Sequence, residues 1–484
     1  MTDLLIHDAT VVTVNQNHEI FRNGSIRVTD GVIRSVEPTK PGSRPSAAKY
    51  VVDADGKVVM PGLIDAHRHT DFTLVQGLFS DLDGEELLKE AMSLYHTAEE
   101  ALGESFFETA WDLACLRQLT HGVTTVNAMD FTPELGAAAI GKAGLRGVIG
   151  PELADFLKAD SPAEQLADAR EFIETHHDTH DGRVRASIAP GGEAGCSRQL
   201  WEGVEELRSE YPDLRLHTHL YDSSEAGTLA AGSGADDPLD LLETFNLLDE
   251  RTLLTHLLHA DQLDARRIAD AGAHVLHCPT VYSYFQAGER TWFPLPALKE
   301  SGANVVIGLD DPFWFDSWDL IQEAKHARLL SNFEYGAQQW SSYDLLRMLT
   351  IDAARALGLD DQVGSLEPGK RADFIVIDVD TPRHQPYSNL PSVLMNTVTA
   401  GDVETVVVDG EVLMEDRVVT SLDVENVRAA AKRERDRLQT HTGWETSLGG
   451  STPPDKSILR RVSGRPLLRV MKQYGRGVVN QYTR

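Results

Sequence analysis

Three cysteines in 484 residues, Cys115, Cys196 and Cys278, are too few and too far apart for a disulfide framework or a CxxC metal clip. That usage fits a reducing compartment, and a cytoplasmic protein is expected. No apolar run approaches the roughly 20 residues of a membrane span, and the start, MTDLLIHD, lacks the basic-then-apolar order of an export signal. Lysine is scarce: 12 lysines stand against 33 arginines, and 45 basic residues face 75 acidic ones, for a formal charge of −30. Such a surface repels polyanions, so neither nucleic acid nor membrane is expected as a partner. A lysine-poor acidic surface suits a salt-rich cytoplasm, where screening relieves self-repulsion, and equally an ordinary soluble enzyme.

What is present is enough apolar sequence, 41% of the chain, for a large catalytic unit with a smaller one attached. The first sixty residues alternate short apolar runs with the turn signals TDG and ADG, which predicts strands and hairpins. From about 60 to 320, short buried strands such as VTTVNAM, LRGVIGPEL, RVRASIAP, LRLHTHLY, RTLLTHLLH, AHVLHCP and NVVIGLDD are separated by helical patterns. About eight such βα units predict an α/β fold, a closed (β/α)8 TIM barrel. Strand patterns return in ADFIVIDVD and VETVVVDGEVLMEDRVV. The expected organisation is residues 1–59 as the first part of a small β domain, 60–362 as the barrel and 363–425 as the second part, giving a composite β-sandwich. Residues 426–484 form a C-terminal helix and tail. Within that tail, 456–484 carry eight basic residues and no acidic one. It is either a solvated terminus or a segment that packs on the acidic body of its own or a neighbouring subunit.

The chemistry-bearing residues sit at strand ends. In VVMPGLIDAHRHT, residues i and i+2 of a strand share a face, so His67 and His69 project together into the barrel mouth while Arg68 points away. A lone HxH is a weak metal signal. Other strand ends add His217, His219 and Asp222 in LHTHLYDSSEAG, His256 in LLTHLLHAD, and Asp310 and Asp311 in VVIGLDDP. In a parallel barrel these C-terminal ends converge on one cavity.

These residues resemble the amidohydrolase superfamily, in its branch of metal-dependent deaminases and chlorohydrolases that includes S-adenosylhomocysteine, guanine and cytosine deaminases and the triazine hydrolases. PGLIDAHRHT, HGVTTV, HTHLYDSSEAG, THLLHADQLD, HCPTVYSYFQAG, VVIGLDD and DAARALGLDDQVGSLEPGKRADFIVID occur in the family's order, over roughly residues 3 to 425.

The resemblance implies one divalent cation, Zn or Fe, held by His67, His69, His219 and Asp310, with a water activated on it. It also implies that Asp310 orients that water and that His256 hydrogen-bonds the water or the substrate. The family pattern has Glu three residues after the ligand histidine, where it shuttles a proton. Here Asp222, one methylene shorter, is the expected general acid/base, and Glu225 is its substitute candidate. His217 is either strand filler or a residue behind the site. Gln76, Glu86 and Arg146 match positions where relatives carry substrate contacts, or are plain solvated residues. Gly191 in APGGEAGCS stands where several relatives have a histidine, which weakens any specific expectation of S-adenosylhomocysteine. The aromatics of VYSYFQAGERTWFP and DPFWFDSW suit a flat ring as ligand, or form a lid or subunit contact. The expected activity is hydrolytic deamination of an aminated purine, pyrimidine, pterin or triazine, a small-molecule substrate. The alternatives are chlorohydrolase or cyclic amide hydrolase chemistry on the same site, or a catalytically silent scaffold. A homo-oligomer is expected from the resemblance alone.

Overall fold

The computed structural model describes residues 2–452 apart from 41–46, 80–81, 83, 223–224, 286–292, 315–316, 337–338 and 449. The basic tail expected at 456–484 lies outside the described residues. Five strands open the chain: β1 (Thr2–Val12), β2 (Ile20–Thr29), β3 (Val32–Pro38), β4 (Ala48–Asp53) and β5 (Lys57–Pro61). Eight short strand positions follow, one of them in two pieces: β6 (Leu63–Arg68), β7 (Val123–Asp130), β8 (Arg146–Leu153), β9 (Val184–Ala186) with β10 (Ala189–Pro190), β11 (Leu216–Leu220), β12 (Thr252–His256), β13 (His274–His277) and β14 (Asn304–Ile307). The chain then adds β15 (Phe374–Asp378), β16 (Val403–Val408), β17 (Glu411–Glu415) and β18 (Val418–Val419).

The outer strands form one mixed sheet in the order β18-β17-β16-β15-β5-β1-β2-β3, with β4 also on β1. It joins the beginning of the chain to residues beyond 370, through the antiparallel pairing of β5 with β15, Val59 opposite Val376. The inner strands form two parallel arcs, β10-β8-β7-β6 and β11-β12-β13-β14. β7, β8 and β11 are buried at every residue, as strands covered on both faces must be. Parallel bridges join the arcs at both seams, Ile188 with Leu216 and Arg68 with Asp310. The His217 amide donates to the Ile188 carbonyl at 2.8 Å, and the Asp310 amide donates to the His67 carbonyl at 2.9 Å. The second seam admits only glycine beside it, because a Cβ on Gly308 would lie 2.8 Å from the His67 backbone nitrogen.

The connecting helices start and stop where local chemistry dictates. Pro162–His176 opens on a capping box of Ser161 with Glu164, and Gln262–Ala271 on one of Asp261 with Asp264. The latter ends at Gly272 in the left-handed conformation, which its missing Cβ permits. No helix among the described residues is long and apolar enough to cross a membrane.

Candidate metal centre and catalytic site

β6 delivers His67 at its end and His69 just beyond it, with Arg68 turned the other way as alternation requires. The Arg68 guanidinium is fully buried, 3.4 Å from the centroid of the Trp318 ring. β11 delivers His217 and His219, β12 ends on His256, and Asp310 follows β14. His256, Asp310 and Tyr221, just past β11, all hold positive φ (76°, 63° and 59°), a strained backbone that non-glycine residues keep only where surrounding structure imposes it.

His219 Nε2 lies 3.2 Å from His69 Nε2 and 3.4 Å from His67 Nε2. Asp310 Oδ1 is 3.6 Å from His67 Nε2 and 3.8 Å from His69 Nε2, and His256 Nε2 is 3.4 Å from Asp310 Oδ2. A tetrahedron of donors about 2.0–2.1 Å from a zinc ion has edges of about 3.3–3.4 Å. Four groups from three separate parts of the chain therefore stand where the donors of one such ion would stand.

Their protonation suits this. Burial, then the neighbouring His69 and His219, hold His67 well below the ordinary histidine range. Burial brings His219 down to about 4 and lowers His69 as well. All three are neutral at pH 7, with lone pairs to give. Burial would raise Asp310, yet His256, His69 and His219 keep its carboxyl below the usual value. The set of three imidazoles and one carboxylate fits a single divalent cation with an open position.

Each ligand ring is also held from behind. His217 Nε2 is 2.8 Å from His67 Nδ1, and the Asn127 amide stands 3.3 Å from the far nitrogen of His217. The Met129 carbonyl accepts from His69, and the Gly191 carbonyl accepts from His219. Such outer partners fix ring orientation and tautomer. Gly191 thus serves through its backbone. The ends of β6 and β7 are braced reciprocally: Asp130 accepts from the Asp71 amide at 2.9 Å, and Asp71 accepts from the Phe131 amide at 2.8 Å.

Asp222 lies just past β11, half-buried, and its Oδ1 has no hydrogen-bond partner among the described residues. Burial and then the carboxylates of Glu193, Asp310 and Glu152 push it well above the ordinary aspartate range. Glu225 is exposed at the start of the helix Ala226–Gly232. Gln76 accepts a hydrogen bond from Trp318 Nε1 at 3.3 Å and another from Arg117. The side chain of Glu86 lies outside those described. Phe313 is buried in edge contact with Phe72 and Phe79, so this part of the aromatic loop is core packing rather than lid.

Arg146 requires a correction. It opens β8, at the end of the strand opposite Glu152, and its guanidinium is spent on Asp373 (3.0 and 3.2 Å) and Asp409 (2.8 Å). It joins the parallel arc to the mixed sheet, with Nε and Nη2 committed to those carboxylates at the strand end away from the metal centre. Two acids that the sequence did not single out lie close to the centre instead. Glu152 Oε2 is 3.7 Å from His69 Nδ1, with burial pushing its carboxyl up to about 8. Glu193 binds the backbone beside Asp222. Only the position of Glu152 at a strand end could have drawn notice.

Comparison with known proteins agrees with this geometry. Residues 58–413 match the model of the amidohydrolase family. The chain belongs to that family. Over 445 residues it is 31% identical to the 5-methylthioadenosine/S-adenosylhomocysteine deaminase of Teredinibacter turnerae, covering 90% of this chain and 98% of the relative. Over 414 residues it is 29% identical to the 5'-deoxyadenosine deaminase of Methanothermobacter thermautotrophicus, covering 85% and 94%. A zinc-bound adenosine deaminase of Xanthomonas campestris superposes with a TM-score of 0.84 at 26% identity, covering 91% and 99%. The fold is accordingly an α/β fold of the TIM-barrel type. This amidohydrolase is a metal-dependent hydrolase of carbon–nitrogen bonds in small molecules.

Proposed function

We propose that this amidohydrolase deaminates an aminated N-heterocycle, and that an adenosine-type aminopurine is the first substrate class to try. The observation that carries the reading is the convergence of His67, His69, His219 and Asp310: His219 Nε2 stands 3.2–3.4 Å from the other two imidazole nitrogens, and Asp310 Oδ1 stands 3.6–3.8 Å from those of His67 and His69, with His256 beside them. A divalent cation held by those four residues supplies a Lewis acid that brings the pKa of water toward about 7. Asp310 orients the attacking water by accepting one of its hydrogen bonds. Asp222 accepts the proton that the water loses and delivers it to the ring nitrogen. His256 hydrogen-bonds the charge that develops around the carbon under attack; the second proton of the water then passes to the amino group, which departs as ammonia and leaves a carbonyl. The relatives named as deaminases of adenosine derivatives support the purine class, while Gly191, with no side chain to offer a ribose or sulfur substituent, argues for a different fit around it.

For the architecture we propose a closed (β/α)8 barrel over 60–362, with 1–59 and 363–425 as one composite β domain and 426–484 as an appended helix and tail. The bridges at both seams and the pairing of β5 with β15 support this. A cytoplasmic homo-oligomer is the expected state.

The test pairs elemental analysis with ammonia release over aminopurines, aminopyrimidines, pterins and triazines. One zinc or iron per chain and ammonia from at least one heterocycle are expected. Chloride release or ring opening without ammonia would overturn the reading.

A further inference from the structure

Asp222 is shorter than the family's glutamate by one methylene, and the structure brings a second carboxyl to it from another loop. Glu193 follows β10 in the stretch APGGEAGCS. It is 2% exposed, and its Oε1 accepts the Tyr221 amide at 2.8 Å, with the Asp222 amide also directed to it. The approach is close: Gly192, at φ 86°, has room for no side chain, because a Cβ there would lie 2.7 Å from the His219 carbonyl oxygen.

Two buried oxygens remain unpaired among the described residues, Glu193 Oε2 and Asp222 Oδ1. An orphaned buried acceptor is costly, and two acids near each other can satisfy both oxygens by sharing a proton. The groups facing Asp222 are Glu193 from this loop, Asp310 after β14, Glu152 at the end of β8 and the Cys278 thiol after β13. Among the charges, Glu193 acts on it most strongly. Glu193 is faced in turn by Asp222 and by the buried Cys196 thiol.

We propose that Glu193 is a positioning residue for the proton transfer: it ties down the backbone that carries Asp222 and forms with Asp222 a carboxyl pair that holds one proton between them. The catalytic part of this rests on the deaminase reading, which gives the proton transfer to Asp222. During turnover Asp222 takes the proton that the water loses and returns it to the substrate, so the pair ends with the single proton it began with. The pair titrates as a unit, and burial pushes the Glu193 side up to about 7.

The experiment uses the zinc-loaded full chain and Glu193→Gln, Glu193→Ala and Asp222→Asn. Glutamine keeps an oxygen for the Tyr221 amide and loses the acid, whereas alanine loses both. Difference infrared spectroscopy reads the pair without any turnover. A protonated-carboxyl band at pH 7 in the native enzyme should vanish in both Glu193→Gln and Asp222→Asn, because either change frees the remaining acid to ionise. In kinetics, a neighbouring negative charge raises the pKa of Asp222, so removing it lowers that pKa. The acidic limb of kcat/KM should therefore move about one unit to lower pH in Glu193→Gln. If the band persists in Glu193→Gln, or the limb stays in place while Glu193→Ala merely melts earlier, the pair is refuted and Glu193 is a loop anchor only. If no heterocycle is turned over, the deaminase reading falls, and the infrared result still decides the pair.

Discussion

Replacing Arg146 by methionine separates a structural role from a substrate contact. Its side chain is 3% exposed, and the facing carboxylates of Asp373 and Asp409 are 2% and 8% exposed. Burial disfavours its charge, but the two aspartates hold the guanidinium above its ordinary pKa, so Arg146 is charged throughout the working range. Methionine would fill most of the volume and strand Asp373, whose remaining partner on this side is the Asp409 amide at 2.8 Å. Breaking a buried pair from one side costs about 3–5 kcal/mol. At about 2 °C per kcal/mol, suitable for a large domain, the expected fall in Tm is about 6–10 °C. Thermal melts of the zinc-loaded proteins measure it, and kcat and KM below the transition should be unchanged. Adding Asp373→Leu should recover part of the loss, since no carboxylate is then stranded and Asp409 keeps Arg371. An unchanged Tm with a raised KM would refute the argument and return Arg146 to the substrate.

Asp222→Asn should lower kcat by about 10²–10⁴-fold, the usual contribution of a positioned acid/base group, whereas Glu225→Gln, altering an exposed carboxyl, should leave kcat near normal. The reverse order in steady-state assays would exchange their roles. His256→Ala should cost about 10²–10³-fold in kcat with zinc content unchanged, because His67, His69, His219 and Asp310 already supply four donors and His256 Nε2 stands 3.4 Å from Asp310 Oδ2 as their neighbour. Loss of zinc in that variant would make His256 a ligand.

The centre was legible because its signals are local. Strand alternation alone puts His67 and His69 on one face, and the strand-end rule brings them to His219, His256 and Asp310. What escaped was chemistry made by partners remote in sequence. Arg146 looks like a free cation at a strand boundary until Asp373 and Asp409, more than 220 residues on, close around it. Glu193 sits in a glycine-rich loop with no periodicity, and only its distance to the Tyr221 amide gives it meaning. His217 shares a strand face with His219, yet whether it supports His67 or fills space depends on a 2.8 Å separation that spacing cannot give. The fourth strand was expected whole in RVRASIAP, and it divides into Val184–Ala186 and Ala189–Pro190.

The acids packed around the histidines bear on what metal removal should do. Besides Asp310, the buried carboxyls of Asp311, Glu152 and Asp130 crowd the centre, and burial pushes all three above their ordinary range, with mutual repulsion adding to it. A dication among such groups favours their charged forms and offsets the repulsion, so its binding energy is also folding energy. At free metal about 1,000-fold above Kd the stabilisation is about 4 kcal/mol, and chelation should remove it. Dialysis against a chelator should therefore lower Tm and abolish turnover together, and zinc should restore both. Magnesium should restore neither, because it prefers an all-oxygen shell and three of the four donors here are nitrogen. Melting curves and turnover that are the same before and after chelation would mean that the imidazoles and Asp310 hold no cation, and the proposed chemistry would lose its electrophile.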